Sequence, residues 1–217
     1  VVDGFICFST LVLMKKIVLA LVLAAVLWGI MFSPLTAPHV PFWGMMAASA
    51  CVLAVFAFVV SPDLRRMRWR VGDCFAGIAI AVGLWGVFWV GDQVSSRLFD
   101  FARPQVDLIY GMKEGVPAGL LSVLLLFLIG PAEELFWRGY VQGTLSQRWG
   151  ANAAFVVTVL AYALVHVPSC NFMLVMAAGV AGVVWGGLYR LFPRWLAALV
   201  VSHALWDAAV FVWFPIL

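Results

Sequence analysis

The chain predicts an all-α fold, a polytopic transmembrane helical bundle of about seven spans. Three observations carry this: 65% of its 217 residues are hydrophobic, only 11% are charged, and the apolar residues fall in long unbroken runs. Soluble domains carry about 25% charged residues, and the mean hydropathy here is +1.09. A transmembrane β-barrel instead shows short segments of alternating polarity. The net charge of +3 is small and scattered, which argues against a nucleic-acid partner and reads as orientation charge for a lipid bilayer.

Measured against the ~20 residues needed to cross the hydrocarbon core, the apolar runs give seven helices. They are residues 17–32, 42–60, 74–90, 116–130 continued through an acidic motif to about Arg148, 152–167, 172–190 and 195–214. Met14-Lys15-Lys16 before the first run resembles a bacterial start, so residues 1–13 are expected to be an upstream mis-start or a short apolar lead. The small-x-small pattern of a cleaved signal is missing after it, and a retained anchor is expected. In the fourth run, Pro117 suits a first helical turn. Pro131 removes a backbone bond and is expected to kink the helix just before Glu133. The loop 91–115 alternates in sign and reads as a solvated amphipathic or interfacial segment.

Seven alternating spans place Lys15, Lys16, Arg65, Arg66, Arg68, Arg70, Arg148, Arg190 and Arg194 on one side. By the positive-inside rule that side is cytoplasmic and holds the N-terminus. Residues 14–115 thus form an N-terminal helical region, and residues 116–217 carry the intramembrane polarity. Gly115/Gly119, Gly139/Gly143 and Gly182/Gly186 have the spacing that permits close helix packing. Cys7, Cys51, Cys74 and Cys170 lack any CxxC spacing and read as small hydrophobes. Many of the eleven tryptophans (Trp43, Trp69, Trp89, Trp149, Trp195, Trp213) fall near segment ends, where their amphipathic rings favour the interface.

Ionisable residues inside a bilayer are costly and usually mark chemistry, a proton path or a buried ion pair. Glu133 and Glu134 end the uncharged run 116–132, with Arg138 one turn on. Positions i and i+4 share a helix face while neighbours diverge by about 100°. Glu134 therefore pairs with Arg138, and Glu133 is left free for proton transfer. His166 ends the fifth helix. His203 and Asp207 share a face of the last helix, a spacing that suits a carboxylate fixing an imidazole tautomer or two ligands of one metal. At ~1.5 Å rise per residue, Glu133, His166 and Asp207 lie ~20–22 Å from the basic ends of their helices, and His203 ~14 Å. Three helices thus bring polar groups to a similar depth, as one shared site requires.

Glu133-Glu134-Leu135-Phe136-Trp137-Arg138, Tyr162-x-x-x-His166 and His203-x-x-x-Asp207 together resemble the CAAX protease and bacteriocin-processing family (CPBP, or ABI), whose pattern is EExxxR, FxxxH and HxxxN/D on successive helices. The resemblance covers about residues 116–214. It implies a metal-free intramembrane glutamic endopeptidase acting on a membrane-anchored protein or peptide, with residues 116–217 as its core. Glu133 with His166 would activate water, His203 and Asp207 would stabilise the oxyanion, and Glu134, Arg138 and Tyr162 would support them. Tyr162 replaces the family's usual phenylalanine, and Asp207 stands where the prenyl endopeptidases have asparagine. The alternatives are a zinc-dependent version using Glu133, His166, His203 and Asp207, and a non-enzymatic immunity or scaffold protein. A bacterial start favours processing of a membrane-anchored tail or leader over a prenylated substrate, and an inner (cytoplasmic) membrane location.

Overall fold

The computed structural model describes residues 2–216, with side chains from residue 13 onward. The reading of residues 1–13 as a mis-start or lead lies outside the described side chains. Among the described residues the chain is helical, without strands: α1 (Val2–Phe32), α2 (Phe42–Val60), α3 (Val71–Leu98), α4 (Ala102–Gly111), α5 (Ala118–Leu124), α6 (Gly130–Glu134), α7 (Gly143–Leu164), α8 (Phe172–Leu191) and α9 (Leu196–Ala208). Six helical stretches among the described residues are long and apolar enough to cross a membrane, and the chain is an integral membrane protein. One of them, Ala118–Ser169, is 52 residues long, about twice what a bilayer needs. It breaks at Gly150, whose φ of 80° and ψ of 161° belong to a region essentially reserved for glycine. The seven runs read from the sequence are therefore six stretches, one of them folded back on itself at a glycine.

Helical turns continue from α5 into α6 and through Pro131. Gly130 keeps helical dihedrals (φ −56°, ψ −49°). The missing proline bond is accommodated beside π-helical turns at Leu125–Ile129 and Leu135–Gln142. Such turns are rare and concentrate at functional sites. A third, Ala209–Trp213, follows Asp207 in the last helix.

Helix α9 forms the centre of the bundle. Most of its residues are buried, including the run Leu196–Val200, and it packs along α3 and α6. By contrast α1, α2 and α3 expose rows of large apolar side chains such as Val18, Val22, Val26, Val55 and Ile78, the surface a lipid solvent requires. Gly130 sets the spacing between α6 and α9, because a Cβ there would lie 2.7 Å from the Ala204 Cα. Gly77 plays the same part between α3 and α9, at 2.7 Å from the Ala198 carbonyl oxygen. Of the glycine pairs singled out in the sequence, Gly182 and Gly186 pack on α7, whereas Gly115 and Gly119 face open space.

The segment 91–115, read as a loop, is mostly helical: its first residues continue α3 to Leu98, and α4 (Ala102–Gly111) follows, with the amphipathic character expected. Arg103 bridges Asp107 (2.8 Å) and Asp92 (3.5 Å) on its polar side. It is also a tied-down cap. The Asn171 Nδ2 donates to the Gln105 carbonyl at 2.8 Å, the Met173 N–H donates to Gln105 Oε1 at 3.0 Å, and Trp43 Nε1 donates to the Met112 carbonyl at 2.8 Å. Burial pushes the Tyr110 phenol above its ordinary range, so it stays protonated while accepting the Ile216 N–H at 2.9 Å.

Candidate functional site

Glu133 and Glu134 sit on the short α6 between two π turns, and both are buried. Their side chains diverge as the helix geometry demands. Glu134 Oε1 accepts from Arg138 Nη1 at 2.8 Å and from His203 Nδ1 at 2.9 Å. The pairing with Arg138 is the one the spacing predicts. The bridge to His203 locks α6 to α9 across 69 residues of sequence. Arg138 also lies over the Tyr162 ring, 4.7 Å from its centroid, and 5.5 Å from that of Trp185. Cation–π contacts of this length are worth most when desolvated, and Arg138 is 1% exposed.

Glu133 has no arginine partner. Its Oε2 accepts from the Tyr162 hydroxyl at 3.0 Å. The hydroxyl that distinguishes Tyr162 from the family's phenylalanine thus has a specific partner, the unpaired glutamate.

His203 is held on three sides. Nδ1 donates to Glu134, Nε2 lies 3.5 Å from Asp207 Oδ2, and the Trp185 ring stacks on the imidazole with centroids 3.9 Å apart. Trp185 is in turn fixed by its indole N–H to Ser202 Oγ at 3.1 Å. The distance to Asp207 is too long for a good hydrogen bond, so Asp207 orients the ring electrostatically in this conformation.

His166 sits one residue past the C-cap of α7, as read from the sequence. Nδ1 donates to the Tyr162 carbonyl at 2.8 Å, and Nε2 accepts from Trp28 Nε1 at 3.3 Å. This fixes a neutral ring with its proton on Nδ1. His166 makes no hydrogen bond to Glu133 here.

Glu133, Tyr162, His166, His203 and Asp207 all line one cavity of about 410 Å³. That volume lies within the range of small-molecule and cofactor sites. The remaining walls are mostly apolar, from Phe32 and Phe42 through Phe88 to Trp206 and Phe211. Glu134 and Arg138 stand behind the cavity and do not line it. Among the described residues no group of three His, Cys, Asp or Glu side chains is arranged to hold a metal ion. With His203 Nδ1 committed to Glu134 and His166 Nε2 to Trp28, the four residues weighed for zinc, Glu133, His166, His203 and Asp207, do not form a ligand set in this structure.

Three elements around the site escaped the sequence reading. Trp28, one turn from the end of α1 and bonded to His166, and Trp185, which lines the cavity, are both fully buried. Val106, Ile109 and Tyr110 of α4 also line the cavity, at the i, i+3, i+4 spacing of an amphipathic face.

Residues 116–209 match the family described as type II CAAX prenyl endopeptidase Rce1-like. No curated protein matches the chain, and no solved structure does. The match takes in every residue of the polar constellation, and it agrees with the motif resemblance of the sequence. Residues 116–209 of this membrane protein are thus similar to the type II CAAX prenyl endopeptidase Rce1-like family.

Proposed function

We propose that this protein is an intramembrane endopeptidase that hydrolyses a peptide bond near the membrane-anchored tail or leader of a protein substrate, with Glu133 as general base. The observation that carries this is the shared cavity: Glu133 and Asp207 with the imidazoles of His166 and His203, from three helices, face a single space of about 410 Å³ whose other walls are mostly apolar. Water admitted there gives up a proton to Glu133, whose Oε2 is steadied by Tyr162. The resulting hydroxide attacks the carbonyl carbon. A proton returned from Glu133 to the amide nitrogen then lets the C–N bond break.

The developing oxyanion needs a pre-aimed donor. With Nδ1–H held by Glu134, His203 donates from Nε2 as the imidazolium, a form that the neighbouring carboxylates of Glu134 and Asp207 favour. Asp207 is the acceptor toward which Nε2–H is turned before substrate arrives. This gives Asp207 an orienting part and avoids placing a carboxylate against an oxyanion. His166 accepts the second proton of the attacking water as a hydrogen bond when Trp28 yields its place at Nε2.

The basic clusters favour a cytoplasmic N-terminus, and the Met14-Lys15-Lys16 start favours a bacterial inner membrane. A bacterial setting favours an anchored tail or leader as substrate over a prenylated one. Comparing the membrane proteomes of cells bearing wild-type and Glu133→Gln protein tests the proposal. One precursor is expected to accumulate uncut in the variant; identical proteomes would remove the protease reading.

A further inference from the structure

A second and larger cavity, of about 880 Å³, opens at the far end of the same bundle. It is bounded by the α2–α3 loop, the α8–α9 loop and the residues after the second π turn. Its rim carries Arg68, Arg70, Arg190 and Arg194 together with Asp63 and Asp73. Four arginines against two aspartates leave two positive charges in excess. Part of the negative charge is already engaged, because Asp73 Oδ2 accepts the Arg70 backbone N–H at 2.8 Å as the N-terminal cap of α3.

The arginines are only lightly used by the protein itself. Arg190 donates one N–H, from Nε, to Asn152 Oδ1 at 2.6 Å. The side chains of Arg68 and Arg194 have no protein partner among the described residues, and both are exposed. Arg65 next door is different: its guanidinium is committed to the Phe58 carbonyl through two N–H groups, at 2.8 and 3.0 Å. The buried Leu64 and Leu196 give its wall an apolar patch, beside Gly139 and Gly143 and the polar Thr144, Ser146 and Gln147. The cavity thus joins a cationic rim to a wall of mixed polarity. The first turn of α3, capped by Asp73, lines it through Gly72, Asp73 and Ala76.

We infer that this cavity is a binding site for the phosphate headgroup of an anionic phospholipid, held by Arg68 and Arg194 with its acyl chains against Leu64 and Leu196. Basic pockets between transmembrane helices take such headgroups, and guanidinium forks match phosphate geometry. The site is separate from the Glu133 cavity, and the inference does not depend on the protease reading. A lipid seated there would also tie the α2–α3 and α8–α9 loops together, beneath which α9 enters the core.

The test is native mass spectrometry of the full-length protein released from vesicles of phosphatidylglycerol and phosphatidylcholine in equal parts. The wild type is expected to retain phosphatidylglycerol selectively. Arg68→Gln/Arg194→Gln should lower that retention about thirtyfold, at about fivefold per charge near a membrane surface. Arg65→Gln, which removes a committed guanidinium, should lower it less than threefold. Equal losses in both variants would show diffuse surface attraction and overturn the inference. So would displacement of the lipid by millimolar inorganic phosphate or by an acidic peptide. Unfolding midpoints check that both variants stay folded, and the single Arg194→Gln variant gives the same reading should the double variant not fold.

Discussion

The Glu134–Arg138–His203 bridge makes a strong demand on stability. Glu134 is 0% and Arg138 1% exposed, and one carboxylate oxygen accepts from both Arg138 and His203, at 2.8 and 2.9 Å. Replacing Glu134 by Gln keeps the shape but leaves the guanidinium without a counter-charge. Breaking a buried pair from one side costs about 3–5 kcal/mol, because the remaining charge is stranded. Gln retains one oxygen for one of the two donors, so a loss near the lower end, about 3 kcal/mol, is expected. Glu134→Gln/Arg138→Met removes both charges and should recover more than half of that loss. Equilibrium unfolding in mixed micelles, followed by tryptophan fluorescence, measures all three proteins. A Glu134→Gln protein within about 0.5 kcal/mol of wild type, the scatter of ordinary surface changes, would refute the reasoning.

Other perturbations separate positioning from chemistry. Gly130→Ala puts a methyl group 2.7 Å from the Ala204 Cα, so it should cost about 1–3 kcal/mol by overpacking and reduce cleavage by parting Glu134 from His203; Gly179→Ala, whose nearest neighbour is 4.0 Å away, is the control. Tyr162→Phe removes the donor to Glu133 and restores the family's residue, so initial rates should fall less than about tenfold while Glu133→Gln loses at least about a hundredfold. Trp28→Phe frees the His166 Nε2, and turnover should equal or exceed wild type, whereas His166→Ala abolishes it; a Trp28→Phe protein as inactive as His166→Ala would contradict the part given to that lone pair. Cleavage by protein treated with a strong chelator and then desalted should proceed at the untreated rate; loss restored by zinc alone would favour the metal-dependent reaction.

What the sequence reveals and what it hides follow from the range of each signal. The Glu134–Arg138 pair and the shared face of His203 and Asp207 are i, i+4 relations, fixed by helix geometry alone. The common depth of Glu133, His166 and Asp207 follows from rise per residue, and all three do line one cavity. Contacts between helices are another matter. Nothing in the periodicity of α1 says that Trp28 meets a histidine 138 residues later, or that Glu134 reaches His203 before Asp207 does. Small-residue spacing was similarly incomplete. The tightest approaches to another helix's backbone occur at Gly77 and Gly130, which belong to none of the paired glycines, whereas the paired Gly139 meets the side chains of Leu64 and Leu196. Proline rules foresaw a disturbance at Pro131 but not its form, since a π turn absorbs a lost backbone bond without ending the helix.

The most direct measurement reconstitutes wild-type and Glu133→Gln protein in vesicles with the precursor that accumulates in the variant cells, and compares initial cleavage rates at equal folded concentration. The amide keeps the Tyr162 contact but cannot take a proton. The account predicts a rate at least about a hundredfold lower with an unchanged unfolding midpoint. Equal rates from the two proteins would contradict it.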